Sequence, residues 1–201
     1  MTLLIIDTAT ERPVVALVKG EALLSQRELP FGLRSSTHLL PVLEEEILNQ
    51  GIDLQKDIQA IIVGVGPGSY TGTRVGVMAA KAISYATSTP LVGVSTLAAL
   101  IRDTSSLCAS MIDAKSQGVY LMKPGGLPTL VPLDKIDDAL IGVRRIVTPN
   151  LSAVQSKVTL DVEWEESPPD PLTLAILGLA KFDSGEFSTK GEVEILYLRN
   201  P

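Results

Sequence analysis

The chain opens on a wholly apolar run, residues 3–6, that stops at Asp7 and Thr8. A short continuous apolar run bounded by polar residues is the pattern of a strand buried on both faces. Residues 13–19 continue through the β-branched Val14, Val15 and Val18, Gly20 and Glu21 make a turn, and 22–29 return as a more polar strand. Together these segments predict a three-stranded antiparallel meander. A helix is expected next: Ser35, Ser36 and Thr37 offer caps, Leu39, Leu40, Leu43 and Ile47 recur at helical spacing, and Gly51 ends it. Pro41 fits that helix within its first turn, where amides lack partners anyway. Residues 58–65 form another buried strand and run into a glycine-rich turn from Gly64 to Arg74. A second helix is expected over 73–86, a short strand at 91–94, and a helix capped by Ser95 and Thr96 that runs to Arg102.

The same grammar returns in the second half. Residues 107–113 are an apolar strand ending in Asp113, as the first strand ended in Asp7. Residues 118–123 pair with it, Gly125 and Gly126 turn, and 127–131 come back. Two meanders, each opened by an apolar strand ending in Asp, predict a duplicated α/β lobe. The lobes are expected at 1–103 and 104–201, with the boundary near 103–106. Strands are expected at 145–148 and 158–162, an acidic, proline-containing loop at 163–171, a strongly apolar helix at 172–182 and a final strand at 191–199.

Composition narrows the classes. Of 201 residues 45% are apolar, which supports a packed core. One Cys excludes an intramolecular disulfide and points to a reducing compartment. One His and one Cys do not make a structural zinc site. No apolar run reaches the roughly 18 residues that span a bilayer, and the first residues read as a strand rather than a signal peptide, so a cytoplasmic location is expected. Seventeen basic residues against 23 acidic ones give a net charge of −6 with no basic run. Such a chain is a poor nucleic-acid binder alone, because that affinity rests on neutralising phosphates.

Candidate chemistry centres on the glycine-rich turn. Glycines between a strand and a helix can let amides face an anion. The nucleotide motifs do not fit, however: no Gly-Lys pair follows at Walker spacing, and Thr71 stands where G-x-G-x-x-G needs its third glycine. A structural turn is the simpler reading. Asp7 and Thr8 could hold a metal or phosphate, but Ala9 and Glu11 hinder that approach. His38 has no orienting partner in view and reads as a surface residue; Cys108, in an apolar strand, reads as a buried inert thiol. In the helix after the turn, Val75, Ala79, Ala82, Ile83 and Ala86 form one apolar face, and Val77, Met78 and Tyr85 lie off it beside Arg74 and Lys81. Apolar groups on both sides mean either a fully buried helix or an outer face that meets a partner.

The run Gly64-Val65-Gly66-Pro67-Gly68-Ser69-Tyr70-Thr71-Gly72-Thr73-Arg74-Val75-Gly76 resembles the G-x-G-P-G-S-[F/Y]-T-G-x-R-x-G signature of the TsaB (YeaZ) family. The opening strand through Thr10, the segment from Leu91 to Leu97, the Asp113 to Tyr120 stretch and the closing Tyr197-Leu198-Arg199 resemble further segments of that family, in order. One departure concerns the His-Ser pair that the family often carries before Leu-Leu-Pro. Ser35 and Ser36 hold its place here and His38 is displaced, so no role of that histidine is carried over. Residues 133–150 align with nothing in the family pattern.

The resemblance implies a two-lobe actin-like ATPase (ribonuclease H-like) α/β fold with duplicated lobes. It also implies a part in making threonylcarbamoyladenosine on tRNA, as a non-catalytic partner and activator of the TsaD transferase. A TsaE-like ATPase would join the complex, tRNA would be touched only through it, and the chain alone would form a homodimer on the same surface. No catalytic, metal or cofactor residues are expected in the isolated chain; nucleotide at a junction with a partner stays open. The family's partner helices correspond to 37–49 and 73–86, and the expected contact residues are Leu40, Leu43, Ile47, Arg74, Val77, Met78, Lys81 and Tyr85. The alternatives are a stand-alone actin-fold ATPase or small-molecule kinase using Asp7 and the glycine turn, and a structural homodimer. Peptidase chemistry finds no support in these residues.

Overall fold

The computed structural model describes residues 1–30, 33–102 and 107–198, with the side chains of 33–36 left aside. Its first sheet has the order β3-β2-β1-β4-β5, built from β1 (Thr2–Asp7), β2 (Val14–Lys19), β3 (Ala22–Glu28), β4 (Ile58–Gly64) and β5 (Leu91–Val94). β1–β2 and β2–β3 are antiparallel; β1–β4 and β4–β5 are parallel. The second sheet comprises β6 (Cys108–Asp113), β7 (Val119–Met122), β8 (Thr129–Val131), β9 (Arg145–Thr148) and β10 (Glu163–Glu166). Its order, β8-β7-β6-β9-β10, and its strand senses repeat those of the first. The duplication read from two Asp-terminated strands is therefore a duplication of topology, and the molecule has the two-lobe, actin-like α/β fold expected.

Side chains alternate across β1, as a strand dictates. Leu4 and Ile6 join the core under α1 (Leu33–Asn49) and α2 (Tyr70–Thr87). Leu3 and Ile5 face the other way and pack with Val92, Leu174 and Ala175. Leu174 and Ala175 belong to α6 (Pro171–Asp183), whose N-cap Asp170 accepts from Thr173 N. This helix, expected within 104–201, thus covers the open face of the first sheet. A Cβ at Gly178 would lie 2.5 Å from Ile62 Cδ1, so the glycine lets α6 press directly on β4. Between the sheets sits α3 (Thr96–Leu100): Ala99 packs on the first, while Leu97 and Leu100 pack on Cys108, Ile112 and Tyr120 of the second. Short helices α4 (Ile136–Ala139) and α5 (Leu151–Val154) cover the far face of the second sheet through Ile136 and Val154.

Several boundaries differ from expectation for physical reasons. Helix α1 begins at Leu33, so Pro41 lies inside it rather than in its first turn; the ring is exposed, clear of the core. The strand expected at 158–162 lies instead at Glu163–Glu166, within the stretch expected as a loop. β10 is an edge strand, where charged side chains are tolerated and blunt further pairing; Trp164 alone packs on the core, and Glu163 pairs with Arg145 at 3.4 Å. The final strand expected at 191–199 is no strand over its described residues. It is held as extended chain by Leu196 N donating to Val65 O at 2.9 Å, just past the end of β4. The boundary expected near 103–106, and Arg199, lie outside the described residues.

Candidate functional site

The glycine-rich turn closes on the chain's own backbone. A Cβ at Gly64 would sit 2.0 Å from Asp7 Oδ2, at Gly68 2.1 Å from Ala9 O, at Gly72 2.2 Å from Thr8 O, and at Gly76 2.3 Å from Thr8 Oγ1. The glycines spaced four apart are thus contact points for the end of β1 and the residues after it. Hydrogen bonds fasten the contact: Ser69 N donates to Ala9 O (2.7 Å) and the Thr8 hydroxyl to Gly72 O (2.6 Å). The amides at the head of α2 are also engaged, Gly72 N with Ser69 Oγ at 3.2 Å and Thr73 N with Ser69 O at 2.9 Å. A phosphate cradle needs free amides; those of Ser69, Gly72 and Thr73 are taken up within the chain.

The two Asp residues that end β1 and β6 share one local device and differ in electrostatics. Asp7 Oδ1 accepts from Ala9 N at 2.9 Å, and Asp113 Oδ1 from Lys115 N at 2.8 Å, the same two-residue turn in each lobe. Asp7 is fully buried, and its Oδ2 lies against Gly64 without a hydrogen bond of normal geometry. Burial pushes its pKa up to about 6, against the smaller pull of the Ala9 amide and, more weakly, the Thr96 hydroxyl. For Asp113 burial acts in the same sense, but Lys157 and Lys115 outweigh it and hold the carboxyl below its ordinary value. Lys157 Nζ lies 2.5 Å from Asp113 Oδ1 and Lys115 Nζ 3.0 Å from Oδ2. Lys115 also reaches Glu11 of the first lobe at 3.7 Å, joining the two turns. Among the described residues no group of three or more His, Cys, Asp or Glu could hold a metal.

Helices α1 and α2 lie side by side over the first sheet. On α2, Thr73, Gly76, Val77, Ala80 and Ser84 point inward. Met78 is 61% exposed and Tyr85 80%, with Arg74 exposed and Lys81 half-buried in the same stripe. On α1, Leu40 is 55% exposed. Two of the expected contact residues are not on this surface: Leu43 and Val77 are buried in the first-lobe core, and Ile47 is half-buried against it. The expected inner face of α2 is also rotated, since Ala82 and Ala86 are exposed while Thr73 and Ser84 are buried. The cause is the close approach at Gly76, which turns a small, partly polar stripe toward β1. The buried hydroxyls are satisfied locally, Thr73 Oγ1 by Ser69 O and Ser84 Oγ by Thr89 O. His38 is exposed and Cys108 buried, as read from the sequence.

At the head of α2 a cleft of about 430 Å³ opens between the lobes, walled by Pro67, Tyr70, Arg74, Tyr120, Tyr197 and Leu198. Arg74 stacks on the Tyr70 ring at 3.8 Å and donates from Nε to the Tyr197 hydroxyl at 2.9 Å. The two tyrosine rings lie 5.8 Å apart. Sequence reasoning missed both tyrosines; the signal for Tyr70 was its place one helical turn before Arg74.

The sequence model of the tRNA N6-adenosine threonylcarbamoyltransferase family, TsaD, matches residues 33–168. The chain is 32% identical over 139 residues to the tRNA threonylcarbamoyladenosine biosynthesis protein TsaB of Bacillus subtilis, covering 66% of this chain and 60% of that one. To the protein of the same description from Escherichia coli it is 33% identical over 125 residues, covering 60% and 53%. The chain thus spans a little over half the length of the curated relatives it matches. Two solved structures share the fold along almost the whole chain. One, an uncharacterized Pseudomonas aeruginosa protein with similarity to peptidase YEAZ, superposes with a TM-score of 0.82 at 24% identity, covering 98% of this chain and 99% of that one. YeaZ from Pseudomonas aeruginosa superposes with a TM-score of 0.80 at 23% identity, covering the same shares. With its glycine signature, its duplicated lobes and these matches, the chain belongs to the threonylcarbamoyltransferase family, on its TsaB (YeaZ) side.

Proposed function

We propose that this chain is a non-catalytic partner subunit in threonylcarbamoyladenosine modification of tRNA, docking through α1 and α2 onto a TsaD-like transferase. The observation that carries this reading is the exposed stripe of Leu40, Met78 and Tyr85 on two adjacent helices. Large apolar side chains left in water on neighbouring helices fit a surface that meets protein. The contact set is Leu40, Arg74, Met78, Lys81 and Tyr85; Leu43, Ile47 and Val77 support it from beneath. The engaged amides of Ser69, Gly72 and Thr73 support a subunit that does not itself cradle polyphosphate. In the same reading a TsaE-like ATPase joins the pair, tRNA is met through the complex, the free chain pairs with itself on the same helices, and the work is done in the cytoplasm. Light scattering on the chain alone and mixed with the transferase of the same organism tests this. A one-to-one complex replacing a self-dimer supports it; two unshifted, folded species count against it.

A further inference from the structure

Arg74 is held by two tyrosines and, among the described residues, by no carboxylate. Stacking on Tyr70 fixes the plane of its guanidinium, and the Tyr197 hydroxyl takes its Nε. Among the described residues no carboxylate pairs with it, in a chain where acidic residues outnumber basic ones by 23 to 17. A guanidinium fixed in plane, with Nε engaged, leaves its two Nη groups as a preset fork that matches the two oxygens of a carboxylate. Polyphosphate is a poorer match, because the neighbouring amides of Ser69, Gly72 and Thr73 are spent within the chain.

The fork's position says what brings the carboxylate. Tyr70, Arg74, Met78 and Tyr85 run along one exposed line of α2, the tyrosines 59% and 80% exposed and Met78 61%. A partner covering the Met78 and Tyr85 end would reach Arg74 and the mouth of the cleft at the other. We infer that Arg74 is the polar anchor of the docking surface, receiving an Asp or Glu side chain of the partner protein, and that Tyr197 is a positioning residue that aims it. Tyr197 sits on the segment that crosses between the lobes: Leu196 is tied to Val65 of the first, and Leu198 packs on the second-lobe core. The anchor is thereby tied to the relative placement of the lobes. This inference rests on the docking reading above.

The test is the dissociation constant for the TsaD-like transferase, measured at low and high salt for the wild type, Arg74→Gln, Arg74→Lys, Tyr197→Phe and Met78→Asp, each checked for a wild-type melting temperature. Arg74→Gln should weaken the complex at least about tenfold and flatten its salt dependence. Arg74→Lys should not restore binding, since a point charge lacks the fork. Tyr197→Phe keeps the ring but frees Nε, and should lie between wild type and Arg74→Gln in both affinity and salt slope. A complex weakened by Met78→Asp but unchanged in affinity and salt slope by Arg74→Gln overturns the anchor and leaves the docking reading standing. No complex with the wild type overturns both. A self-dimer that dissolves on Arg74→Gln, with no transferase bound, makes a second copy the occupant and overturns the proposal.

Discussion

The Thr8 hydroxyl donates to the Gly72 carbonyl at 2.6 Å, and a Cβ added to Gly72 would lie 2.2 Å from the Thr8 carbonyl oxygen. The head of α2 and the turn after β1 are thus in backbone contact, and the glycine signature is what permits it. Loops rich in glycine invite a phosphate-binding interpretation. Here Gly68 and Gly72 make room for the carbonyls of Ala9 and Thr8.

That contact sets a first prediction. Gly72→Ala and Gly68→Ala each force a methyl against a carbonyl that cannot swing away. Each should destabilise the fold by about 3 kcal/mol, at the upper end of ordinary overpacking. Urea denaturation measures it, and Gly125→Ala is not the control to use, because its φ of +72° is strained for alanine whatever the space.

Asp7 predicts a pH effect of defined sign. Its folded pKa of about 6 is above the ordinary 3.8, so between those values the native state holds a proton the unfolded chain has lost. Stability from this group is full below about pH 4 and falls as pH rises through about 6, by about 3 kcal/mol in all. Asp7→Asn should remove that fall. Denaturation midpoints at about pH 4 and about pH 7 for both proteins decide it: a wild-type slope that survives in Asp7→Asn belongs to another group.

Asp113 predicts the opposite slope. Its pKa is lowered by Lys157 and Lys115, so its contribution is present above the ordinary carboxylate range and is lost as pH falls through the folded value. Lys157→Met removes the 2.5 Å ion pair and the bonds to Lys115 O and Gly118 O. It should cost about 2 kcal/mol near neutrality and less in acid, read again from urea midpoints.

Neighbouring residues on α2 should behave in opposite ways. Val77 is 1% exposed and Met78 61%. Val77→Asp buries an unpaired carboxylate in the core and should abolish cooperative folding or cost several kcal/mol. Met78→Asp should leave the melting temperature within a few degrees of wild type. Circular dichroism melts of the two variants test the contrast, and equal destabilisation would mean that the helix is turned differently.

Much of this was legible in the sequence, and the exceptions share a cause. Apolar runs ending in Asp7 and Asp113 announced the repeated meander, because a buried strand writes its burial into consecutive residues. The glycine turn was legible as a turn, though only the fold says what its glycines touch. Val77 and Met78 could not be sorted from periodicity: Gly76 lets α2 approach so closely that Thr73 and Ser84, not the larger alanine-rich stripe, face the sheet. β10 escaped notice because an edge strand carrying Glu163, Glu165 and Glu166 has no apolar alternation to read. The docking of α6 on the first sheet was invisible for another reason. Its apolar composition says that it is covered, and nothing local says by which sheet.

The central claim is that the outward stripe of α2 binds a TsaD-like transferase. Titration calorimetry of that transferase with wild-type chain and with folded Met78→Asp is its most direct test. The account predicts saturable one-to-one binding by the wild type and at least about a thirtyfold loss in Met78→Asp, the scale of a hot-spot residue. Equal affinity for the two folded proteins would contradict it and place the contact elsewhere.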